Sequence, residues 1–196
     1  MKHTIFSILA VCGLLAPTLA NAQTSDPHDP LYAYVPKGYV IKEVTEVGDL
    51  NKDGLKDKVL IVKTTLESAI DKDTGKDLNR RGMIILFATN GNGYRKAAEN
   101  LDCFNSEEED GGAYLAPDLM VDNLSPTNLI FGFSHGRYGN LQFTVRYQQG
   151  GFKLIGYDEN VCRGPFTMKS ISINFLTGKK KIQTNTRKSE EIMALS

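Results

Sequence analysis

The sequence predicts a mainly β fold. It reads as antiparallel sheets, arranged as a sandwich or a partial propeller-like stack, with few short helices. Three observations carry this. Short runs of β-branched and aromatic residues recur between clusters of Gly, Asn, Asp and Thr, the punctuation of successive strands. Leu141 to Tyr147 alternates Leu, Phe, Val and Tyr with Gln, Thr and Arg, the period of a half-buried strand. No segment sustains an apolar stripe at helical spacing.

In chain order, Tyr39-Val40-Ile41 and Lys58 to Val62 read as strands on either side of an acidic loop. Met83 to Phe87 is a third apolar run after a polar connection. Leu119-Met120-Val121 and Leu129 to Phe133 follow, then Leu141 to Tyr147. Gly150-Gly151 separates that strand from Phe152 to Tyr157 and marks a hairpin. Lys169 to Phe175, a Thr177-Gly178 turn and Lys180 to Thr184 make a final hairpin. Leu66 to Ile70 and Lys188 to Leu195 are the two short helical segments. About eight to eleven strands are expected, at the spacing of sandwiches and stacked sheets.

The first residues read as a targeting segment. Met1-Lys2-His3 is a short charged start, Thr4 to Leu15 is mostly apolar, and Ala20-Asn21-Ala22 fits a signal-peptidase site. The expected organisation is a signal peptide over 1–22, a flexible leader over 23–30 and a single β-rich domain over 31–196. A membrane anchor fits poorly, because the apolar run is shorter than the roughly 20 residues of a spanning helix and meets Pro17. A lipid-bearing Cys12 fits poorly too, because Val11 is bulky where a small residue is needed. No transmembrane segment is expected after cleavage, so the protein is expected to be periplasmic or secreted. Equal numbers of acidic and basic residues, 23 of each, imply no strongly basic face and argue against nucleic acid as a partner. Cys103 and Cys162 remain once the leader is removed. An oxidising compartment favours a Cys103–Cys162 disulfide closing a loop of about 60 residues, with two buried free thiols as the other reading.

The stretch from Asp49 to Asp57 carries the clearest chemistry. Asp49, Asn51, Asp53 and Asp57 place side-chain oxygens at the first, third, fifth and ninth positions, and Gly54 stands at the sixth. A hard cation such as Ca²⁺ takes six to eight oxygens at about 2.3–2.6 Å, and alternating Asp and Asn supply several from one short loop. The metal-free alternative is a polar turn, since Asp, Asn and Gly favour turns for local reasons. An EF-hand is excluded: Leu60 stands where the bidentate Glu belongs, and a β run follows instead of a helix. Gly48 to Gly54 with Asp57, running into Val59 to Val62, resembles the calcium loop of FG-GAP or VCBS-type repeats, the units of integrin-like propellers. That resemblance implies Asp49, Asn51, Asp53 and Asp57 as side-chain ligands of a structural Ca²⁺, with the Leu55 carbonyl as a backbone ligand. Propellers repeat such units, and here there is one good copy. Asp71 to Asp77 is the nearest second, with its glycine one place early, and reads as a solvated connection. The rest of the chain resembles small secreted bacterial proteins of unassigned role.

Other motifs carry less. Gly132-Phe133-Ser134-His135-Gly136 has the spacing of a nucleophile elbow, but a strand follows instead of a helix, and no later histidine exists to act as base. His135 has no His or Cys neighbour for a zinc site. Glu107 to Asp110 reads as a solvated acidic loop, and Lys179 to Lys181 as decoration of a turn or edge strand. Arg137 and Tyr138, on a glycine-bounded turn, are candidate ligand-binding residues. The leading expectation is a non-enzymatic exported domain that uses Ca²⁺ for local structure and binds a protein or glycan. The alternatives are a periplasmic inhibitor or immunity-type protein acting through Glu107 to Asp110 against a hydrolase, and a hydrolase using the acidic residues.

Overall fold

The computed structural model describes residues 29–109 and 117–185. The 1–22 segment, residues 23–28 of the leader, Asp110 and the Lys188 to Leu195 helical segment lie outside them, while Asp29 caps and Pro30 begins the first 3-10 turn. The described chain forms ten strands in two antiparallel sheets. Strands β1 (Tyr39–Glu46), β2 (Lys58–Thr64), β3 (Arg81–Ala88) and β4 (Tyr94–Phe104) make a four-stranded meander in that order. Strands β5 (Asp118–Ser125), β6 (Asn128–Ser134), β7 (Gly139–Gln148), β8 (Gly151–Arg163), β9 (Phe166–Asn174) and β10 (Lys179–Thr184) make a six-stranded meander. The expected β class holds. The helical content is short 3-10 turns, and Glu67–Ala69 is what the Leu66 to Ile70 segment becomes. Among the described residues no helix is long and apolar enough to cross a membrane.

The continuous apolar runs of β2 and β3 have a plain cause: both faces of the smaller sheet are covered. Val59, Ile61, Ile85 and Phe87 pack against Leu129 and Phe131 of the larger sheet. Leu60, Val62, Ile84 and Leu86 pack against Leu31 and Tyr34 on the opposite face. The 3-10 turn Pro30–Tyr34 supplies that cover, and the Tyr34 hydroxyl donates to the Tyr94 carbonyl at 2.8 Å.

The two sheets differ in width, and the difference shapes the molecule. On the inward face of the larger sheet, Phe131 pairs across to Phe143, Phe143 to Tyr157, and Tyr157 to Ile173. A parallel file runs from Phe133 through Leu141, Glu159 and Ile171 to Ile182. Exposure along these files rises from 3% at Phe131 to 53% at Ile182. The smaller sheet covers the β5–β7 end, and the β8–β10 end extends beyond it.

Candidate functional site

The 49–57 loop joins β1 to β2 and is held at both ends by the core. Val47 N–H donates to the Asp57 carbonyl at 2.9 Å, and Asp57 N–H to the Gly48 carbonyl at 3.3 Å, so the loop's base is a small antiparallel pair. Leu50, 1% exposed, pins the loop to the inter-sheet core. Gly48 lies against the β5–β6 turn: a Cβ there would meet the Pro126 carbonyl oxygen at 2.6 Å, so only glycine permits the approach.

Within the loop, side-chain oxygens turn inward onto backbone N–H groups. Asp49 accepts from Asp53 N at 2.9 Å and Gly54 N at 2.7 Å. Asn51 Oδ1 accepts from Asp53 N at 3.1 Å, and its amide donates to Asp53 Oδ2 at 2.8 Å. Asp53 Oδ1 accepts from Leu55 N at 2.9 Å. Lys52 and Gly54 both adopt positive φ, 66° and 89°, which curls the backbone around these acceptors. The alternation of Asp and Asn therefore produces the compact turn that their spacing predicts.

Asp57 does something the spacing alone does not reveal. Its side chain is fully buried. Oδ2 accepts from Leu50 N at 2.9 Å, and Oδ1 from Ala88 N at 3.0 Å, at the end of β3. The carboxylate thus ties the loop to the neighbouring strand. Burial pushes its pKa up, the two backbone N–H groups pull it down, and the nearby negative charges of Asp53 and Asp49 push it up again; the net direction is upward. Among the described residues no set of three or more His, Cys, Asp or Glu side chains is gathered as a metal-ligating group. The loop's hard-oxygen donor chemistry still suits Ca²⁺, because each carboxylate oxygen keeps a lone pair beyond its N–H partner.

The remaining candidates separate clearly. Cys103 on β4 and Cys162 on β8 are free thiols in different sheets and not at disulfide distance, which corrects the expected bridge. The Cys103 thiol faces the Asn100 carbonyl at 3.5 Å, and Cys162 Sγ lies 3.8 Å from Thr167 Oγ1. Arg137 and Tyr138 sit together on the exposed 3-10 turn Gly136–Tyr138; Arg137 donates to the Tyr138 hydroxyl at 2.9 Å, its guanidinium 5.1 Å from the ring centroid. Ser134 ends β6, and its hydroxyl accepts from Gly136 N at 3.3 Å before the chain enters β7, so no strand-to-helix elbow lifts the serine.

The described part of the acidic run is an exposed loop, as expected, and its carboxylates also make contacts with the smaller sheet and the 71–77 connection. Glu107 contacts Lys42 at 3.2 Å and Lys63 at 3.6 Å, Glu108 accepts from Asp77 N at 2.6 Å, and Glu109 from Ser106 N at 2.7 Å. The 71–77 segment is likewise engaged: Asp71 Oδ1 accepts from Thr74 N at 2.7 Å, and Asp77 pairs with the buried Lys63 at 2.6 Å. Burial pushes the Asp77 carboxyl up, but Lys63 and the Asn79 hydrogen bonds outweigh it and hold the pKa at about 2.

Arg81 is the residue that the motifs missed. It stands two places before Met83, so strand periodicity directs it to the same inward face as Met83, Ile85 and Phe87. It lines a cleft of about 490 Å³ where the two sheets part, with Phe104, Phe131, Phe133, Phe143 and His135.

No protein-family model, curated protein or solved structure matches the chain.

Proposed function

We propose that the chain is an exported, non-enzymatic binding domain that engages a partner protein through the uncovered inward face of β8–β10 and takes a structural Ca²⁺ in the 49–57 loop. The observation that carries this reading is the overhang of the larger sheet. Val161, Ile171, Ile173 and Ile182 share one face of the ribbon with Tyr157, Glu159, Lys169 and Lys180. Val161 is 41% and Ile182 53% exposed, and every residue of β10 is exposed. An apolar patch flanked by Lys169 and Lys180, with Glu159 beside Ile171, suits a protein surface with an apolar centre and a mainly acidic rim. A glycan would call for polar groups around an aromatic platform, and aliphatic side chains dominate this ribbon.

Export rests on the charged, apolar and Ala20-Asn21-Ala22 sequence of the first residues. Calcium rests on the oxygen-rich loop, in which the Asp49, Asn51 and Asp53 oxygens turn inward around one curl of backbone. The inhibitor reading draws no support from Glu107 to Glu109, whose carboxylates are already engaged by Lys42, Lys63 and backbone N–H groups.

Site-specific photocrosslinking tests the reading. A photoreactive residue at Ile182, expressed in cells, is expected to give one discrete heteromeric adduct, and the same group at Lys72 in the exposed β2–β3 connection none. Addition of Ile171→Asp is expected to abolish the adduct without lowering Tm. No adduct at Ile182, or equal labelling at both sites, overturns the reading.

A further inference from the structure

We propose that the cleft between β3–β4 and β6–β8 binds a small amphipathic carboxylate, its apolar body against Phe104, Phe131, Phe133 and Phe143 and its headgroup on the Arg81 guanidinium. This pocket is separate from the β8–β10 overhang and does not depend on it.

Arg81 is only 7% exposed, yet among the described residues no Asp or Glu oxygen lies within 4.0 Å of its nitrogens. Its Nε donates to the Asn105 carbonyl at 2.9 Å. That bond uses one of five N–H donors. Among the described residues no fully buried side-chain nitrogen lacks a partner, and Arg81 is one of the residues that line the cleft. Arginines so deeply set are ordinarily paired, because removal of a charge from water is costly without a counter-ion.

The nearest carboxylates act on Arg81 only at longer range, and most have other partners. Glu107 is held by Lys42 and Lys63, Glu109 by Ser106 N, and Glu43 by the Thr45 hydroxyl, while Asp118 is exposed. Burial outweighs their attraction and lowers the guanidinium's pKa from its ordinary value, the direction expected of a cation short of close partners. A ligand carboxylate would supply the missing bidentate acceptor.

The rest of the cleft selects the body of the ligand. Asn105, Ser106, Glu109 and His135 add polar groups to its lining, Glu109 being held by Ser106 N, and the rest of the walls is mainly aromatic and aliphatic; its volume of about 490 Å³ lies within the ~300–1,000 Å³ of small-molecule sites. A hydrophilic anion would leave those walls unused. A neutral apolar chain would leave the guanidinium without an acceptor. Only a molecule with both parts satisfies both surfaces.

Calorimetry with decanoate, 1-decanol and decyltrimethylammonium, each below its self-association concentration and in calcium-free buffer, tests this. Wild-type protein is expected to bind decanoate about 10- to 100-fold more tightly than decanol, the effect of a hydrogen bond to a charged group. Decyltrimethylammonium is expected to bind weakest. Arg81→Gln is expected to bring decanoate down to the decanol level and leave decanol unchanged. Decanoate is also expected to protect Cys103, which lines the cleft, from methanethiosulfonate labelling. Absence of saturable decanoate binding, equal affinity for decanoate and decanol, or an unprotected Cys103 overturns the proposal. If Arg81→Gln does not fold, the wild-type ligand ranking and the Cys103 protection decide the matter.

Discussion

Replacement of Asp57 by alanine is the perturbation whose size follows most directly from the structure. The side chain is fully buried, and its two oxygens are the acceptors of Leu50 N and Ala88 N at 2.9 and 3.0 Å. Alanine leaves both N–H groups without an acceptor at the junction of the loop, β2 and β3. An unsatisfied buried donor costs about 1–3 kcal/mol. Two such donors set a loss of about 2–6 kcal/mol. The same substitution removes a carboxylate that burial and two neighbouring acids disfavour in its charged form, which returns part of the loss. The net expectation is about 2–4 kcal/mol, or a fall in Tm of roughly 5–15 °C for a domain of this size. Asp57→Asn keeps one acceptor and turns an NH₂ group toward the other donor, so it is expected to be destabilised as well, by less. Urea unfolding at pH 7 without calcium, followed by circular dichroism, measures all three proteins. Asp53→Ala is the control, because Asp53 is exposed and joins only loop neighbours. If Asp57→Ala unfolds at the wild-type midpoint, or no earlier than Asp53→Ala, the assignment of Asp57 as the tie between loop and sheet is refuted.

Four further outcomes are expected. Saturating Ca²⁺ is expected to raise Tm, with about 2.7 kcal/mol at a hundredfold excess over Kd, and Mg²⁺ to do less; Asp53→Ala should lose the response, and an indifferent wild-type melt with no calorimetric signal would dismiss the ion. The depressed Asp77 carboxyl contributes stability that is present above its unfolded value near 3.8 and lost as pH falls toward about 2; Asp77→Asn should flatten that limb of the stability–pH curve, and an unchanged limb would count against the Lys63 pair. Thiol counting on denatured, non-reduced protein should find both Cys103 and Cys162 available, with native Cys103 slow to alkylate at pH 8 because burial raises its pKa to about 11; a blocked pair would reinstate the bridge. Decanoate affinity should be the same in Asp53→Ala as in wild type, since the 49–57 loop and the Arg81 cleft share no side chain; a shift of tenfold or more would show that the two ends are coupled.

Strand identity was legible where a strand's own composition decides it. Val59 to Val62 and Ile84 to Phe87 are apolar on consecutive residues because both faces are buried, and the alternation of Leu141 to Tyr147 marks a strand inside a wide sheet. Tyr94–Phe104 was invisible for the complementary reason. It is the longest strand of the smaller sheet, yet its middle reads Arg-Lys-Ala-Ala-Glu-Asn, with no β-branched residue. It is an edge strand, held by its ladder to β3. The acidic loop's curl was legible because its hydrogen bonds span two to five residues. The brace from Asp57 to Ala88 was not, because it joins positions 31 apart that meet only once β3 lies beside β2. The partners of Glu107 and Glu108 were hidden for the same reason: Lys42 and Lys63 come from β1 and β2, and Asp77 from the β2–β3 connection.

The strand directions place these features at opposite ends of one molecule. The 49–57 loop meets Ala88 at the end of β3, and Gly48 at its base meets Pro126 just before β6 begins. The cleft meets Arg81 at the start of β3 and His135 just past the end of β6. Seven residue steps of about 3.3 Å along β3 set them roughly 23 Å apart. Between them lies the buried inter-sheet core of Ile61, Ile85, Leu129 and Phe131. A cation at one end would then stabilise the domain as a whole by linkage, with no need to reshape the other. The cleft opens where that packing stops, because the inward face of β3 changes from Phe87, Ile85 and Met83 to Arg81. One strand thus runs from a closed, core-anchored end to a charged, open one, and the change occurs in its first residue.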